Sequence, residues 1–253
     1  MQKKQVKPET KSIVDDFETR EAVVWLKGTT PLLYASLSKA IKLSLLGFKR
    51  DRSISDRTVC EPYSPLADYR DSVHTGDGSG PTRLTLPSHA FRHAFAQVTR
   101  HLNTGVTMLQ MKQLLWLPGD NVSVYGVPEL LMGVEKRHKE HVTLCANAIV
   151  PQWCCKLSVR YVYPNLSDVA ITEIIARAGS GVGVGRTYRA DVRDYGRFCI
   201  SDEKRVAKIV KAGCIKQQDA ALETPAMYDE DTEQLFSAHQ VIAAKRDKKR
   251  KKQ

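Results

Sequence analysis

Four arginines follow a glycine-rich run in the second half of the chain. The run, GSGVGVG at 179–185, has glycine at every second position, and a backbone without Cβ atoms can approach another chain closely. The arginines lie at Arg186, Arg189, Arg193 and Arg197. Exposed backbone N–H groups beside guanidinium groups suit a phosphate backbone. This segment therefore indicates a surface that binds nucleic acid.

Two well-known phosphate-binding motifs do not fit this run. Its spacing is not G-x-G-x-x-G, and it follows a predicted helix instead of opening one, which argues against a dinucleotide-binding fold. No Gly-Lys-Ser/Thr closes the run, so it is not a Walker loop. A purely structural glycine-rich connection remains open as the alternative.

The residues before the run predict the strand and the helix that position it. Residues 153–163 alternate apolar side chains with polar or charged ones, which is the period of a strand with one buried face. A helix follows, with Asn165 or Ser167 as its N-cap and Gly179 at its end. Its apolar face consists of Val169, Ile171, Ile174, Ile175 and Ala178.

A second group of polar side chains lies on a helix predicted from Ser88 to about residue 102. His89 and His93 are spaced i, i+4, which binds a metal only if further ligands converge. No H-E-x-x-H pattern accompanies them, so solvated or phosphate-facing histidines are the favoured interpretation. Arg92 adds positive charge to the same helix, which makes it a further candidate for nucleic-acid contact.

Charge and cysteine content bound the class of protein. The net charge of +11 over 253 residues points to an anionic partner. Part of the charge belongs to the tail at 245–252, which is either a solvated end or a localisation-type patch. The chain has no C-x-x-C pair, and no apolar run approaches the length of a membrane span. We therefore expect a cytoplasmic protein with no membrane partner, no metal and no cofactor, in which all six cysteines are reduced and most are buried. The adjacent Cys154 and Cys155 should point to opposite faces of their strand.

Three parts are predicted along the chain. A flexible N-terminal arm occupies 1–20, a folded domain 21–215, and a charged extension with at most one helix, at 233–244, occupies 216–253. An insertion at 48–81 is basic and ends in a glycine-rich hinge. We interpret it as a mobile loop that faces nucleic acid, with simple disorder as the alternative.

The order of elements within the domain predicts an α+β fold with helices on one face of an antiparallel sheet. Two or three short strands are expected at 106–134, and a charged loop or hairpin tip at 135–141. A ferredoxin-like arrangement, similar to an RNA-recognition module, fits this order. The aromatic ribonucleoprotein signature is absent, so stacking of bases on sheet aromatics is not indicated. The remaining elements are strands at 21–27, at 82–86 and up to residue 200, and helices at 37–46 and 202–212.

Three separated motifs resemble the repeat-associated mysterious protein (RAMP) superfamily, which includes RNA-binding backbone subunits of CRISPR effector complexes. They are LKGTTPLL at 26–33, LPSHAFRHAF at 86–95 and GSGVGVGR at 179–186. The arrangement, with YGRF at 195–198, is also similar to a group of phage-encoded proteins. The second motif lacks the glycine and lysine usual in the CRISPR proteins and has His89 and His93 nearby.

The resemblance implies a ferredoxin-like fold, binding of single-stranded RNA or DNA, and assembly along the strand as a homo-oligomer or with effector-complex subunits. It implies a phage- or CRISPR-associated protein without catalytic residues. Two alternatives stay open: a metal-independent endoribonuclease that uses His74, His89 or His93, and a phage protein that mimics a CRISPR subunit and binds host proteins. The expected nucleic-acid contacts are Lys27, His89, Arg92, His93, Gly181, Gly183, Gly185, Arg186, Arg189, Arg193 and Arg197.

Overall fold

A computed structural model describes residues 18–36, 63–76, 78, 80–99, 106–137, 141–185 and 194–250. These residues form ten strands and seven helices. The strands are β1 (Glu18–Gly28), β2 (Leu32–Leu33), β3 (His74–Thr75), β4 (Leu84–Pro87), β5 (Leu115–Trp116), β6 (Asn121–Tyr125), β7 (Glu129–Arg137), β8 (His141–Val150), β9 (Cys154–Tyr163) and β10 (Phe198–Ser201). The helices are α1 (Pro65–Ser72), α2 (Ser88–Val98), α3 (Met108–Leu114), α4 (Asp168–Gly181), α5 (Glu203–Ala212), α6 (Ile215–Glu223) and α7 (Glu230–Arg250).

Seven of the strands form one antiparallel sheet. Its order is β10-β1-β9-β6-β4-β3, and β5 pairs with the far part of β9. The register places Leu26 beside Cys155 and Trp116 beside Arg160. A smaller sheet, β2-β8-β7, contains the hairpin that connects β6 to β9. The fold is therefore mixed α+β with antiparallel sheets, as the sequence predicted.

The main core lies between the large sheet and the pair α2 and α4. Alternate residues of β9, such as Val159, are buried against these helices, together with Leu26 of β1, while Ala22 and Val24 of β1 are partly buried there. Phe91 of α2 and Ile175 of α4 complete this layer at 0% exposure. The residues between them along each strand point to the other side of the sheet. Helix α5 packs there, with Val206 and Ile209 against Cys154, so helices lie on both faces and not on one as expected.

The C-terminal extension packs onto both sheets. The side-chain amide of Gln218 in α6 is completely buried. It accepts from the backbone N–H groups of Arg83 and Leu84 and donates to the carbonyls of Val124 and Gly126. Further along, Met227 forms a parallel bridge to Leu130 of β7. Helix α7 follows and is tied to β7 by the Met132 N–H, which donates to Thr232 Oγ1 at 3.1 Å.

Several predicted elements are confirmed. Strands β1, β4, β9 and β10 and helices α4 and α5 lie where periodicity placed them, with small shifts at their ends. Strand β1 begins at Glu18, within the arm expected at 1–20, and α4 continues to Gly181, two residues past the predicted stop. Cys154 and Cys155 do point to opposite faces, since they belong to different buried clusters.

Other predictions were wrong. Residues 108–114 form α3 and not a strand, because Thr107 and Gln110 make a reciprocal capping box that satisfies backbone N–H groups at the helix start. Residues 65–75 of the expected loop form α1 and β3. Two helices occupy the extension, where at most one was expected. Of the five described cysteines, all free thiols, only Cys154 and Cys155 are buried.

Some expected features lie outside the described residues. They are the helix at 37–46, most of the arm, residues 48–62 of the insertion, Cys60 and the tip at 138–140. Within the described part of the chain, no helix combines the length and the apolar composition that a membrane crossing requires.

Candidate functional site

Three segments meet at the end of the large sheet where β1 finishes and β10 begins. We call residues 28–31, 179–185 and 194–198 the junction. The Val184 N–H donates to the Gly196 carbonyl at 2.9 Å, and the Gly196 N–H donates to the Pro31 carbonyl at 2.8 Å. The Thr29 N–H donates to the Arg197 carbonyl at 2.8 Å. The glycine-rich run is thus bonded to the turn after β1 through the residues before β10.

Close backbone packing at the junction requires glycine at particular positions. Gly183 and Gly196 have φ angles of +77° and +72°, which side chains with a Cβ rarely adopt. A Cβ on Gly196 would lie 1.8 Å from the Val184 carbonyl oxygen, and one on Gly183 would lie 2.9 Å from the Gly196 carbonyl oxygen. At these two positions the absence of a Cβ serves the packing of this chain against itself.

The glycines predicted to contact nucleic acid differ in exposure. Gly183 is buried, and its N–H donates to the Ala178 carbonyl at 2.8 Å. Gly181 and Gly185 are exposed, and a Cβ on Gly181 would meet open space. Approach by another backbone is therefore possible at Gly181. Gly185 has a φ of +76°, and a Cβ there would lie 2.9 Å from the Leu33 carbonyl oxygen, so Gly185 supports the fold as Gly183 does.

Three of the four predicted arginines, Arg186, Arg189 and Arg193, lie outside the described residues. Their segment, 186–193, connects Gly185 to Asp194, and both of these residues are exposed. The hydrogen bond from Val184 to Gly196 holds the chain just inside both ends. The segment therefore leaves and re-enters the domain at one fixed place on the junction.

Arg197 is held by the junction itself. Its backbone N–H donates to Thr30 Oγ1 at 2.9 Å, and its guanidinium forms an ion pair with Asp194 at 3.0 Å. The guanidinium also donates to the Ser180 carbonyl at the end of α4. These bonds give Arg197 a positioning role, since they connect the residues that follow segment 186–193 to the glycine-rich run. Sequence reasoning missed Thr30, Ser180 and Asp194, because nothing in their spacing marks them as partners.

Lys27 lies at the same end of the sheet but on the face opposite to α4. Its register partners are Cys154 of β9 and Cys199 of β10. Burial raises the pKa of the Cys154 thiol to about 12, and the positive charge of Lys27 acts in the opposite direction. Lys27 is therefore near the junction, yet it extends toward the side of the sheet on which α5 packs.

The three predicted side chains on α2 are exposed. The guanidinium of Arg92 donates to the Lys112 carbonyl of α3. The ring nitrogen Nε2 of His93 lies 3.0 Å from the amide nitrogen of Gln97, one turn along α2. These bonds run within α2 and to α3. No described contact joins His89, Arg92 or His93 to the junction.

His74, the third histidine considered for catalysis, lies on β3. The ring of His74 on β3 lies 6.4 Å from the ring of Tyr34, centroid to centroid. Within the same part of the chain, no group of three or more His, Cys, Asp or Glu side chains lies close enough to hold a metal ion. Among the described residues, the junction offers exposed backbone at Gly181 and the guanidinium of Arg197, which forms an ion pair with Asp194.

Comparison with known proteins gives no match for this chain, either to a protein-family model or to a curated protein.

Proposed function

We propose that this chain is a non-catalytic protein that binds single-stranded RNA or DNA through its phosphates. The main support for this proposal is that the junction fixes both ends of the segment that contains Arg186, Arg189 and Arg193. A segment with fixed ends loses less conformational entropy on binding than a free arm does, so its guanidinium groups bind phosphate at lower cost.

We also propose that the fold is ferredoxin-like and that the protein is RAMP-like. The order β10-β1-β9-β6 supports this, because a ferredoxin-like sheet has its four strands in the order 4-1-3-2. Helices α2 and α4, which follow the first and third of these strands, pack side by side against the same core. The hairpin β7–β8 and the extension after β10 are then additions to that unit.

The charge balance supports a polyanionic partner. The chain carries 39 Lys and Arg against 28 Asp and Glu. Several described acidic groups are already paired, as in the ion pairs of Arg83 with Asp219 and Arg177 with Glu173. The proposal includes assembly along the strand and a phage- or CRISPR-associated role, which rest on the RAMP resemblance. It also includes a cytoplasmic location, which rests on the cysteine content of the sequence.

The experiment is binding of a fluorescein-labelled oligouridine and oligothymidine by the full chain at several salt concentrations. We expect tight binding that weakens as salt rises, because each neutralised phosphate releases counterions. Changing Arg186→Ala together with Arg189→Ala should reduce the slope of log affinity against log salt by about 1.4, which is two single-strand contacts.

The matched control removes two arginines that already have carboxylate partners, Arg177→Ala together with Arg205→Ala. This variant has the same net charge as the first and should keep the slope of the parent. If both double variants lose the same slope, only overall charge matters and segment 186–193 is not the site. If the parent chain binds neither oligonucleotide, the proposed function is wrong.

A further inference from the structure

The side of the large sheet opposite α2 and α4 carries aromatic and basic side chains from four strands. We call this surface the open face. Trp25 of β1 is in register with Lys156 of β9, and Trp116 of β5 is in register with Arg160. Residues in register on neighbouring strands point to the same side. Tyr125 of β6, in register with Cys154, also points there.

Trp25 and Tyr125 lie close together at the end of the open face where α5 packs. Both are partly buried against the cluster of Cys154, Val206 and Ile209. The ring centroids of Trp25 and Tyr125 are 5.9 Å apart with the planes tilted by 49°. The ammonium nitrogen of Lys156 lies 5.8 Å from the centroid of the Trp25 ring. Next to them Val23 is 55% exposed. A groove of about 460 Å³ runs past Val23, Tyr125 and Lys156, so part of this apolar surface is open to a ligand.

A third aromatic side chain, Trp116, lies further along the same face. Trp116 stands beside Arg160, four residues from Lys156 on β9, which is about 13 Å along a strand. It is half-buried, as are Trp25 and Tyr125. Because β1 and β5 flank β9 on opposite sides, Trp25 and Trp116 are also separated across the sheet by two strand spacings, about 10 Å. Two aromatic positions, each with a basic side chain in register, fit a chain that repeats a flat ring and a phosphate, at a separation of more than one nucleotide.

One carboxylate opposes this charge pattern. Glu21 accepts from Arg160 at 3.1 Å and from the Ser158 hydroxyl. These two bonds lower the pKa of Glu21, which keeps it negatively charged near neutral pH. Glu21 thus neutralises Arg160 in the free protein and competes with any phosphate for it.

We propose that the open face binds the unpaired bases of single-stranded nucleic acid, which stack on Trp25 with Tyr125 and on Trp116. Lys156 and Arg160 contact the adjoining phosphates. Aromatic rings accept any base, and flanking basic groups follow the backbone. This inference rests on the proposed function and adds a second contact surface for the same strand. It also revises the expectation that sheet aromatics are not used.

The test measures affinity of the full chain for labelled oligouridine and for a sugar-phosphate oligomer of equal length without bases. Trp25→Leu together with Trp116→Leu should weaken binding of oligouridine by tenfold or more, roughly the loss of one to two stacked bases. Binding of the base-free oligomer should not change. Trp25→Phe should keep most of the affinity, and Leu109→Ala, which alters an apolar residue that is 68% exposed on α3, should keep all of it.

A second variant gives an effect of opposite sign. Glu21→Gln removes the carboxylate that holds Arg160, so we expect oligouridine to bind about threefold more tightly, with a steeper salt dependence. A loss of affinity in this variant would contradict the proposed role of Arg160.

The outcomes separate this inference from the proposed function. If the parent binds and the double tryptophan variant binds equally well, the open face is not used and the arginine segment alone carries binding. If the double variant keeps its affinity but no longer self-associates, as sedimentation would show, the face is an interface between copies and the inference is wrong. If the parent binds neither oligouridine nor oligothymidine, both proposals fail.

Discussion

At the junction, backbone atoms of three segments pack directly against each other, whereas on the open face the contacts are made by side chains. Gly183, Val184 and Gly196 are buried, and their hydrogen bonds close within the chain. On the open face Val23 is 55% exposed and Lys156 lies over Trp25. Both regions belong to the same sheet, and both contain residue types that are common in nucleic-acid sites.

The difference shows that residue type alone does not separate structure from function. The most conspicuous run in the sequence, the alternating glycines, is used in large part to build the domain. The half-buried aromatic surface comes from Trp25, Trp116 and Tyr125, which are far apart in sequence. A comparison of the two regions by substitution is therefore informative, because the junction should lose stability and the open face should lose binding.

Gly196→Ala should have the largest effect. Its Cβ would lie 1.8 Å from the Val184 carbonyl oxygen at a φ of +72°, so the junction must open. We expect the free energy of unfolding, measured with urea, to fall by more than about 4 kcal/mol. Gly119→Ala is the control, because its φ is +82° with nothing within 4 Å of the added Cβ. It should cost about 1 kcal/mol. Equal losses would mean that backbone strain, and not close packing, accounts for Gly196.

The three tryptophans allow one substitution to be compared in both regions. Trp153 is fully buried at the junction and donates from Nε1 to the Thr30 carbonyl at 2.9 Å. We expect Trp153→Leu to lower the free energy of unfolding by about 3 kcal/mol. Trp25→Leu and Trp116→Leu should each cost less than about 1 kcal/mol, as half-buried surface positions do. A loss at Trp25 as large as at Trp153 would show that the open face is part of the core.

Thr30→Val examines a single bond of the junction. Thr30 Oγ1 accepts from the Arg197 N–H, and valine has a similar shape without an acceptor. We expect a loss of about 1 kcal/mol in thermal or urea unfolding, since the half-buried N–H is left unpaired. The neighbouring Thr29→Val, at an exposed position, should be close to neutral. If Thr30→Val is neutral as well, Arg197 is not held in the way described.

Cysteine labelling perturbs the protein least. Burial raises the pKa of Cys154 to about 12 and also raises that of Cys155, so both thiols stay protonated at pH 8, while Cys199 is exposed. Peptide-resolved labelling should therefore modify Cys199 at least about tenfold faster, because the thiolate is the reactive form. Raising the pH from 8 to about 9 should leave labelling of Cys154 and Cys155 slow, because burial raises the pKa of both thiols. Fast labelling of Cys154 alone would show that α5 opens away from the sheet.

Helices and strands with a strong periodicity of apolar residues could be predicted from the sequence. The alternation at 153–163 gave β9, and the apolar spacing from Ile171 to Ala178 gave α4. Helix α3 was missed because its short apolar stretch is equally compatible with a strand. The capping pair Thr107 and Gln110 was the sequence signal that distinguishes a helix from a strand here. Ser64 with Pro65 similarly marks the start of α1 inside the expected loop.

The candidate site could be predicted only where it is contiguous in sequence. The run at 179–186 and the turn at 28–31 are visible as motifs, and the structure brings the described parts of both to the junction. The open face could not be predicted, because it depends on the register of β1, β5, β6 and β9. Register is a tertiary property, and a shift by one residue would send each of these side chains to the other side of the sheet.

Gln218 makes the large sheet depend on the last seventh of the chain. Its side-chain amide forms hydrogen bonds with two backbone N–H groups, before and within β4, and with two carbonyls at the end of β6. The side chain therefore acts as a backbone peptide group would between these two strands. A premature stop codon before position 218 would leave these four groups without their partner. Loss of residues 218–253, about one seventh of the chain, would therefore not remove a dispensable appendage. It would unfold the sheet edge that the remaining chain still encodes.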